Sequence, residues 1–258
     1  SRCSQRPSLA PAAILARSYG IAAVVGIEGL CGRVRHGEPI VVDGNTGTVV
    51  LRPTPATLQE YEQARARFVE LEHQMLTLKE YPAITLDGRK IELSANIKSP
   101  DDAALAIAKG AKGVGLYRTE YFFLTRSELP SEDQQVEAYT EVLHELAPET
   151  VIFRTLDIGG DKFASYLGAG TSELNPFLGW RGIRFLLTRH DIFRTQLRAF
   201  LRASTAGKLK IMFPMVTGLE EVRQAQALVA EVRRDLEAEG FAYDRQIEIG
   251  IMIETPAA

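Results

Sequence analysis

An α/β fold with a parallel sheet is predicted from about residue 90 onward, because short β-type runs alternate there with longer helical stretches. Five apolar runs are predicted as strands: Ile91–Ile97, Gly113–Tyr117, Thr150–Leu156, Leu209–Met215 and Ile247–Ile253. Helical patterns occupy the stretches between them, at Asp101–Lys109, Ser131–Leu146, Asp191–Ala203 and Gly218–Glu239. Alternation of this kind implies parallel pairing, since parallel strands need a crossover connection.

Periodicity alone does not separate a doubly wound sheet from a barrel. Polar residues favour the barrel, because Arg118, Arg154 and Glu254 fall at the ends of three different predicted strands, where a barrel places its catalytic residues. We therefore interpret this part of the chain as an incomplete (β/α)8, or TIM-type, barrel. We also expect the sequence to be cut at both ends, because the fifth strand is followed by little more than Glu254–Ala258.

The preceding residues divide into two zones. In residues 1–53, Asp43, Gly44 and Asn45 stand between two β-branched runs and predict a hairpin in a partial domain. Residues 56–79 have the pattern of an amphipathic helix, which Thr54 or Thr57 would cap. Its predicted buried stripe comprises Leu58, Tyr61, Ala64, Phe68, Leu71, Met75 and Leu78. We place a linker helix at residues 54–82 and the barrel portion at 83–258; a packed surface helix stays open as the alternative.

Composition excludes several classes of protein. Because 30 basic and 33 acidic side chains give a net charge of −3, neither nucleic acid nor an anionic membrane is expected as the main partner. No apolar run approaches the roughly 20 residues of a membrane span, and Ser1–Pro11 lacks the apolar core of a signal peptide. Two cysteines, Cys3 and Cys31, form no disulfide framework or Cys-x-x-Cys metal site. We expect a cytoplasmic protein.

Three arginines have similar settings, since Arg118, Arg154 and Arg181 each follow an apolar run. Arginine stays charged at any working pH, and its planar fork of donors matches phosphate or carboxylate in a bidentate way. Glu254 adds a carboxylate after another apolar run. The pattern predicts a site for a small, highly charged molecule together with a metal ion.

Five motifs follow one another along the chain: Gly115–Glu120, Arg154–Lys162, Asn175–Arg181, Ile211–Met215 and Glu254–Ala258. In this combination and order they resemble Enzyme I, the phosphoenolpyruvate-protein phosphotransferase family of the bacterial sugar phosphotransferase system. The resemblance covers residues 12–258. Pyruvate phosphate dikinase and phosphoenolpyruvate synthase share the architecture, but residues 157–162 and 177–181 are more similar to Enzyme I.

The resemblance implies a two-part enzyme. A swivelling domain, of which residues 1–53 would be the C-terminal part, carries a histidine that is phosphorylated by phosphoenolpyruvate bound with Mg2+ at the mouth of the barrel. The phosphoryl group then passes to an HPr-type carrier protein, and the full-length family forms homodimers. By resemblance, Arg118 and Arg154 bind the substrate phosphate, Arg181 assists catalysis in the same cluster, and Glu254 is one Mg2+ ligand.

The sequence departs from the family near its N-terminus. Pro11 stands at the position of the family's phosphorylated histidine, and Ala10 at the serine before it. Because proline in a peptide bond has no nucleophilic nitrogen, we expect this chain alone to be inactive. A non-catalytic phosphoenolpyruvate-binding or regulatory module stays open, as does a relative of the dikinase or the synthase. A carbon-carbon lyase or mutase on a similar barrel fits less well.

Other polar residues have simpler interpretations. Asp157 could orient Arg154, but capping of the following turn is the favoured interpretation. Solvated surface positions are predicted for all four histidines, His36, His73, His144 and His190. A helical basic face is predicted to be solvated or paired with acids rather than ligand-binding, and it comprises Arg184, Arg189, Arg194, Arg198 and Arg202.

Overall fold

The computed structural model describes residues 16, 20–126, 128–159 and 179–258. The chain divides into two units, residues 1–78 and 79–258, and each is described by itself. The elements of the first unit are α1 (Leu30–Arg33), β1 (Ile40–Asp43), β2 (Thr48–Leu51) and α2 (Pro55–Thr77). The division into partial domain, linker and barrel stays a prediction.

The predicted hairpin is confirmed. Strands β1 and β2 pair antiparallel, with Asp43 opposite Thr48. The carboxylate of Asp43 accepts hydrogen bonds from the hydroxyl of Thr46 at 2.7 Å and from the backbone N–H of Asn45 at 2.9 Å. These bonds lower the pKa of Asp43. The turn is therefore held by the Asp side chain itself, as Asx turns are.

Helix α2 begins where the sequence predicts, but its apolar stripe is not buried. Thr54 caps the helix, because its hydroxyl accepts a hydrogen bond from the N–H of Thr57 at 3.2 Å, and Pro55 occupies the first turn. No residue of Pro55–Thr77 is buried, and Met75 is 57 % exposed. The prediction of a buried stripe is therefore wrong for this structure, since periodicity shows an amphipathic helix but not what covers it.

The second unit alternates strands and helices. Its strands are β3 (Ala95–Ile97), β4 (Gly113–Arg118), β5 (Thr150–Arg154), β6 (Lys208–Phe213) and β7 (Ile249–Ile251). Its helices are α3 (Pro100–Ala108), α4 (Glu120–Leu124), α5 (Glu132–Leu146), α6 (Gly182–Leu186), α7 (His190–Ala203) and α8 (Leu219–Glu239). All five predicted strands and four predicted helices are present. No helix among the described residues is both long and apolar enough to cross a membrane.

The sheet is parallel and is wound in one direction. Its order, β3-β4-β5-β6-β7, follows the chain, whereas a doubly wound sheet reverses at a switch point. Phe153 of β5 contacts Tyr139 of α5 and Phe200 of α7, with ring centroids 5.1 and 5.5 Å apart. The helices before and after β5 therefore pack on the same face. This arrangement confirms the predicted α/β class and is that of a (β/α) barrel portion.

The first strand is shorter than predicted because a turn precedes it. The backbone N–H of Thr85 donates to the carbonyl of Arg89, and the N–H of Ile91 donates to the carbonyl of Ala83. Residues 83–91 are thus paired among themselves, and Leu93 is half exposed. The predicted run Ile91–Ile97 joins the sheet only from Ala95.

Candidate anion-binding site

The ends of β4 and β5 place two predicted site residues side by side. Arg118 ends β4, Arg154 ends β5, and their Cα atoms are partners in the parallel register. Neighbouring strands lie about 4.8 Å apart. Thr119 joins the two strand ends, because its hydroxyl donates to the carbonyl oxygen of Arg154 at 3.0 Å.

Asp157 links Arg154 to Arg181. Its Oδ1 and Oδ2 accept hydrogen bonds from Nε and Nη2 of Arg181, both at 3.0 Å, and its Oδ2 lies 3.2 Å from Nη1 of Arg154. The side chain of Asp157 is 5 % exposed, so its buried charge depends on both arginines. The carboxylate therefore orients the two guanidinium groups, whereas capping of the following turn, which continues into residues outside the described ranges, stays a prediction.

Glu120, the first residue of α4, completes this cluster. Its Oε1 accepts a hydrogen bond from the backbone N–H of Asp157 at 2.8 Å, and its Oε2 lies 3.1 Å from Nη2 of Arg154. One carboxylate thus fixes both the side chain of Arg154 and the backbone that carries Asp157. This role of Glu120 was not predicted from the sequence. The available signal was an acid two residues after Arg118, close to a predicted strand end.

The segment between Arg154 and Asp157 rests on a buried polar network. The N–H of Leu156 donates to Oε1 of Gln196 at 2.9 Å, and Nε2 of Gln196 lies 3.5 Å from the hydroxyl of Tyr139. That hydroxyl donates to Oε1 of Gln135 at 3.1 Å. Burial raises the pKa of Tyr139, so the phenol stays a neutral donor. Because satisfied buried networks restrict motion, the backbone of the site has a rigid base.

Glu254 is held from the end of β6. Its Oε1 accepts a hydrogen bond from the backbone N–H of Met215 at 2.8 Å. Met215 has φ 58, which is uncommon for a residue other than glycine. Gly182 lies beneath it with φ 56, where an added Cβ would stand 2.9 Å from Cβ of Met215 and 3.2 Å from Oδ1 of Asp157. Close packing at Gly182 thus connects Glu254 with the arginine cluster.

Arg184 has a structural role that the sequence analysis did not predict. Its Nε and Nη2 donate to the carbonyl oxygen of Gly179 at 3.0 and 2.8 Å, and its Nη1 donates to the carbonyl oxygen of Met215 at 3.0 Å. Within the described ranges Arg184 pairs with no acid, so the pairing predicted for the helical basic face is not found at this residue. Instead, it holds the backbone next to Arg181 against the end of β6.

The predicted site residues are connected to different degrees. Arg154 and Arg181 are brought together by Asp157, and Arg118 is aligned with Arg154 by register. Arg118 forms no ion pair within the part of the chain that the structure describes. All four histidines are exposed, as predicted: His36, His73, His144 and His190. Pro11 and Cys3, as well as residues 160–162 and 175–178 of the motifs, lie outside the described residues.

The residues present fit a metal ion only in part. Among the described residues, no group of three or more His, Cys, Asp and Glu side chains could hold a metal ion. Glu254 offers one carboxylate, with Oε1 already bonded to the N–H of Met215. Mg2+ usually takes one or two carboxylates together with water and substrate oxygens. Glu254 therefore fits as a single protein ligand for Mg2+.

Two family models together match most of the chain. Residues 72–258 match the family described as PEP-utilising enzyme, PEP-binding domain, and residues 8–47 match its mobile domain. The chain therefore belongs to the PEP-utilising enzymes.

Curated relatives make the similarity more specific. Proteins named phosphoenolpyruvate-protein phosphotransferase from Bacillus sp. (strain S) and Geobacillus stearothermophilus are each 49 % identical over 246 residues, which is 95 % of this chain and 42 % of the relative. The protein of the same name from Staphylococcus epidermidis is 46 % identical over 245 residues, or 95 % of this chain and 43 % of the relative. The chain thus spans about two fifths of the length of these relatives.

Proposed function

We propose that the chain is part of a phosphoenolpyruvate-protein phosphotransferase. Residues 83–258 form the N-terminal part of its phosphoenolpyruvate-binding barrel, 54–82 a linker helix, and 1–53 the C-terminal part of its swivelling domain. The two family matches, at residues 72–258 and 8–47, support this division. In the whole enzyme, a phosphoryl group passes from phosphoenolpyruvate to a histidine and on to an HPr-type carrier protein.

In this proposal, Arg118 and Arg154 bind the phosphate of phosphoenolpyruvate, and Arg181 assists in the same cluster. The supporting observation is the orientation of Arg154 and Arg181 by the buried carboxylate of Asp157. Phosphoryl transfer spreads negative charge over the equatorial oxygens, so cations fixed in advance stabilise the transition state with little rearrangement. A guanidinium held by a carboxylate is oriented before the substrate arrives.

Charge balance supports the same role. Glu120 and Asp157 compensate Arg154 and Arg181, whereas Arg118 forms no ion pair within the described ranges. Arg118 therefore keeps a positive charge that no acid of the described ranges compensates, which suits a phosphate. We propose that Glu254 contributes one ligand to Mg2+. When bound, the ion would add positive charge beside the substrate oxygens.

Further parts of the proposal rest on the family resemblance. They are a cytoplasmic location, service in sugar uptake, and homodimer formation by the full-length enzyme. The relatives' name, phosphoenolpyruvate-protein phosphotransferase, supports a protein as the phosphoryl acceptor. Because Pro11 cannot accept a phosphoryl group, this chain is proposed to bind phosphoenolpyruvate without becoming phosphorylated.

Titration calorimetry with phosphoenolpyruvate and Mg2+ tests the binding role. Arg154→Gln should weaken binding at least about tenfold, because it removes a charge-assisted hydrogen bond. The matched control is Arg194→Gln, which makes the same change on α7, where Arg194 pairs with Glu231 and Asp235. Equal affinities for both variants and the unchanged chain would contradict the proposed phosphate site.

Labelled phosphoenolpyruvate tests the second part of the proposal. After incubation with Mg2+, the chain should carry no acid-labile phosphate, because Pro11 replaces the acceptor and the four histidines are exposed surface residues. Label on any histidine would overturn this expectation. Mass spectrometry of the digested chain would identify the residue.

A further inference from the structure

The β3 strand contributes a cation that neither the motifs nor the resemblance include. Ile97 of β3 is the register partner of Tyr117 in β4, so the next residues, Lys98 and Arg118, lie at the same level. Arg118 is in turn the partner of Arg154 in β5. Three adjacent strands therefore end in basic residues at one level, with backbones about 4.8 Å apart.

Contacts hold Lys98 at this edge. Its backbone N–H donates to Oδ2 of Asp102 at 3.1 Å, which fixes the chain just beyond β3. Its Nζ lies 5.2 Å from the ring centroid of Tyr121, within the range of a cation–π contact. Tyr121 belongs to α4, three residues after Arg118, so this contact draws the ammonium group toward the end of β4.

Acids compensate the charge of Arg154 in β5, but among the described residues none compensates the charge of Lys98. Arg154 lies within ion-pair distance of Glu120 and Asp157, and Asp157 also binds Arg181. In contrast, neither Lys98 nor Arg118 forms an ion pair among the described residues. The acid nearest to Lys98 in these contacts, Asp102, bonds its backbone rather than its ammonium group. Uncompensated positive charge is therefore concentrated at the ends of β3 and β4.

We propose that Lys98 provides a subsite for a second anionic group of the ligand, beside the phosphate held by Arg118 and Arg154. The ligand class is a small molecule with two anionic groups, such as a phosphate and a carboxylate. Only the choice of phosphoenolpyruvate as that ligand rests on the proposed function. A lysine suits this place because its flexible stem can follow a group that the rigid arginines do not reach.

The test compares ligands with one and two anionic groups. Calorimetry at a single Mg2+ concentration measures the binding of inorganic phosphate, pyrophosphate and phosphoenolpyruvate to the chain. Lys98→Gln should weaken the binding of pyrophosphate and phosphoenolpyruvate about tenfold, because one charge-assisted hydrogen bond is lost. The affinity for inorganic phosphate should stay unchanged. Lys98→Arg should retain affinity. The control, Lys208→Gln, makes the same change at the first residue of β6, which lies at the opposite end of the parallel strands from Lys98.

Each outcome separates the two proposals. Equal losses for all three ligands, or no loss for any, would overturn the subsite. If the unchanged chain binds pyrophosphate but not phosphoenolpyruvate, the proposed function fails, while pyrophosphate still decides the role of Lys98. If it binds neither two-group ligand, both proposals are contradicted. A thermal unfolding curve of Lys98→Gln that matches the unchanged chain shows that the variant is folded.

Discussion

Arginines occupy two regions of the second unit, and acids neutralise them differently. On α7, Arg194, Arg198 and Arg202 stand one turn apart and pair with acids of the two flanking helices. The partners are Glu132 and Asp133 of α5 and Glu231, Asp235 and Glu239 of α8. At the strand ends, two acids, Glu120 and Asp157, serve Arg154 and Arg181, and Arg118 has none within the described ranges.

The number and burial of the acids, rather than the arginines, therefore distinguish a structural cluster from a binding cluster. The helical set has more acids than arginines, so its positive charge is fully used in holding α5, α7 and α8 together. This pairing confirms the sequence prediction for Arg194, Arg198 and Arg202. The strand-end set has fewer acids than arginines, and those acids are nearly buried. It therefore keeps its arginines oriented while leaving positive charge for a ligand.

The largest expected effect comes from removing the acid that the strand-end arginines share. Asp157→Asn should lower the free energy of unfolding by about 3–5 kcal/mol, because it removes the nearly buried carboxylate that Arg154 and Arg181 share. Urea unfolding measures this loss. The control is Glu231→Gln on α8, where the acid is half exposed and the loss should stay below about 1 kcal/mol. Similar losses in both variants would remove the distinction between the two regions.

A steric change should have the next largest effect. Gly182→Ala places a methyl group 2.9 Å from Cβ of Met215, at a φ of 56 that alanine disfavours, so we expect a loss of about 2–3 kcal/mol in unfolding free energy. It should also weaken phosphoenolpyruvate binding, because Met215 holds Glu254. Gly218→Ala is the control, since its added Cβ meets nothing within 4 Å. Unchanged stability of Gly182→Ala would show that packing at Gly182 does not connect Glu254 with the arginine cluster.

The smallest expected effect lies in the helical set and depends on pH. The hydrogen bond with Arg198 lowers the pKa of Glu239 from its ordinary value of 4.5. The pair therefore stabilises the fold above pH 4.5, and this contribution is lost as the pH falls through the lowered pKa of the folded state. The difference in melting temperature between the unchanged chain and Arg198→Met should shrink over that fall in pH.

A control arginine sharpens the pH experiment. Arg223 lies 3.9 Å from Glu220, with both side chains about two-thirds exposed. Because such a pair is well solvated, Arg223→Met should change the melting temperature little at any pH. A pH dependence equal to that of Arg198→Met would indicate a general charge effect rather than the specific pair with Glu239.

Much of the fold is readable from the sequence because its signals are local. The start of α5 is an example, since Ser131 and Gln134 form a capping box that follows directly from their spacing. The start of β3 was predicted too early because Ile91 and Leu93 continue the apolar pattern of the strand. In the structure, the turn at Thr85–Arg89 brings the N–H of Ile91 to the carbonyl of Ala83 instead of to the sheet. For α2, periodicity predicted the helix but could not reveal the surroundings of its stripe.

The site was predicted less completely because its decisive contacts are not local. Arg118, Arg154 and Arg181 stand in recognisable motifs, so the sequence could nominate them. Glu120 bonds Asp157 across 37 residues, and Lys98 comes level with Arg118 only through strand register. Strands of a parallel sheet read as near-continuous apolar runs, so the sequence has little alternation from which their register could be predicted. Which charges are compensated therefore became visible only in the folded chain.

The order of the sheet has a consequence for how the protein is made. Among the described residues, strands β3 to β7 each pair with strands next to them in the chain. A ribosome releases the N-terminal strands first. Each newly released strand can therefore join the edge formed by the strand before it. Arg118 and Arg154 can be aligned, and bonded through Thr119, before β6 and β7 have been translated.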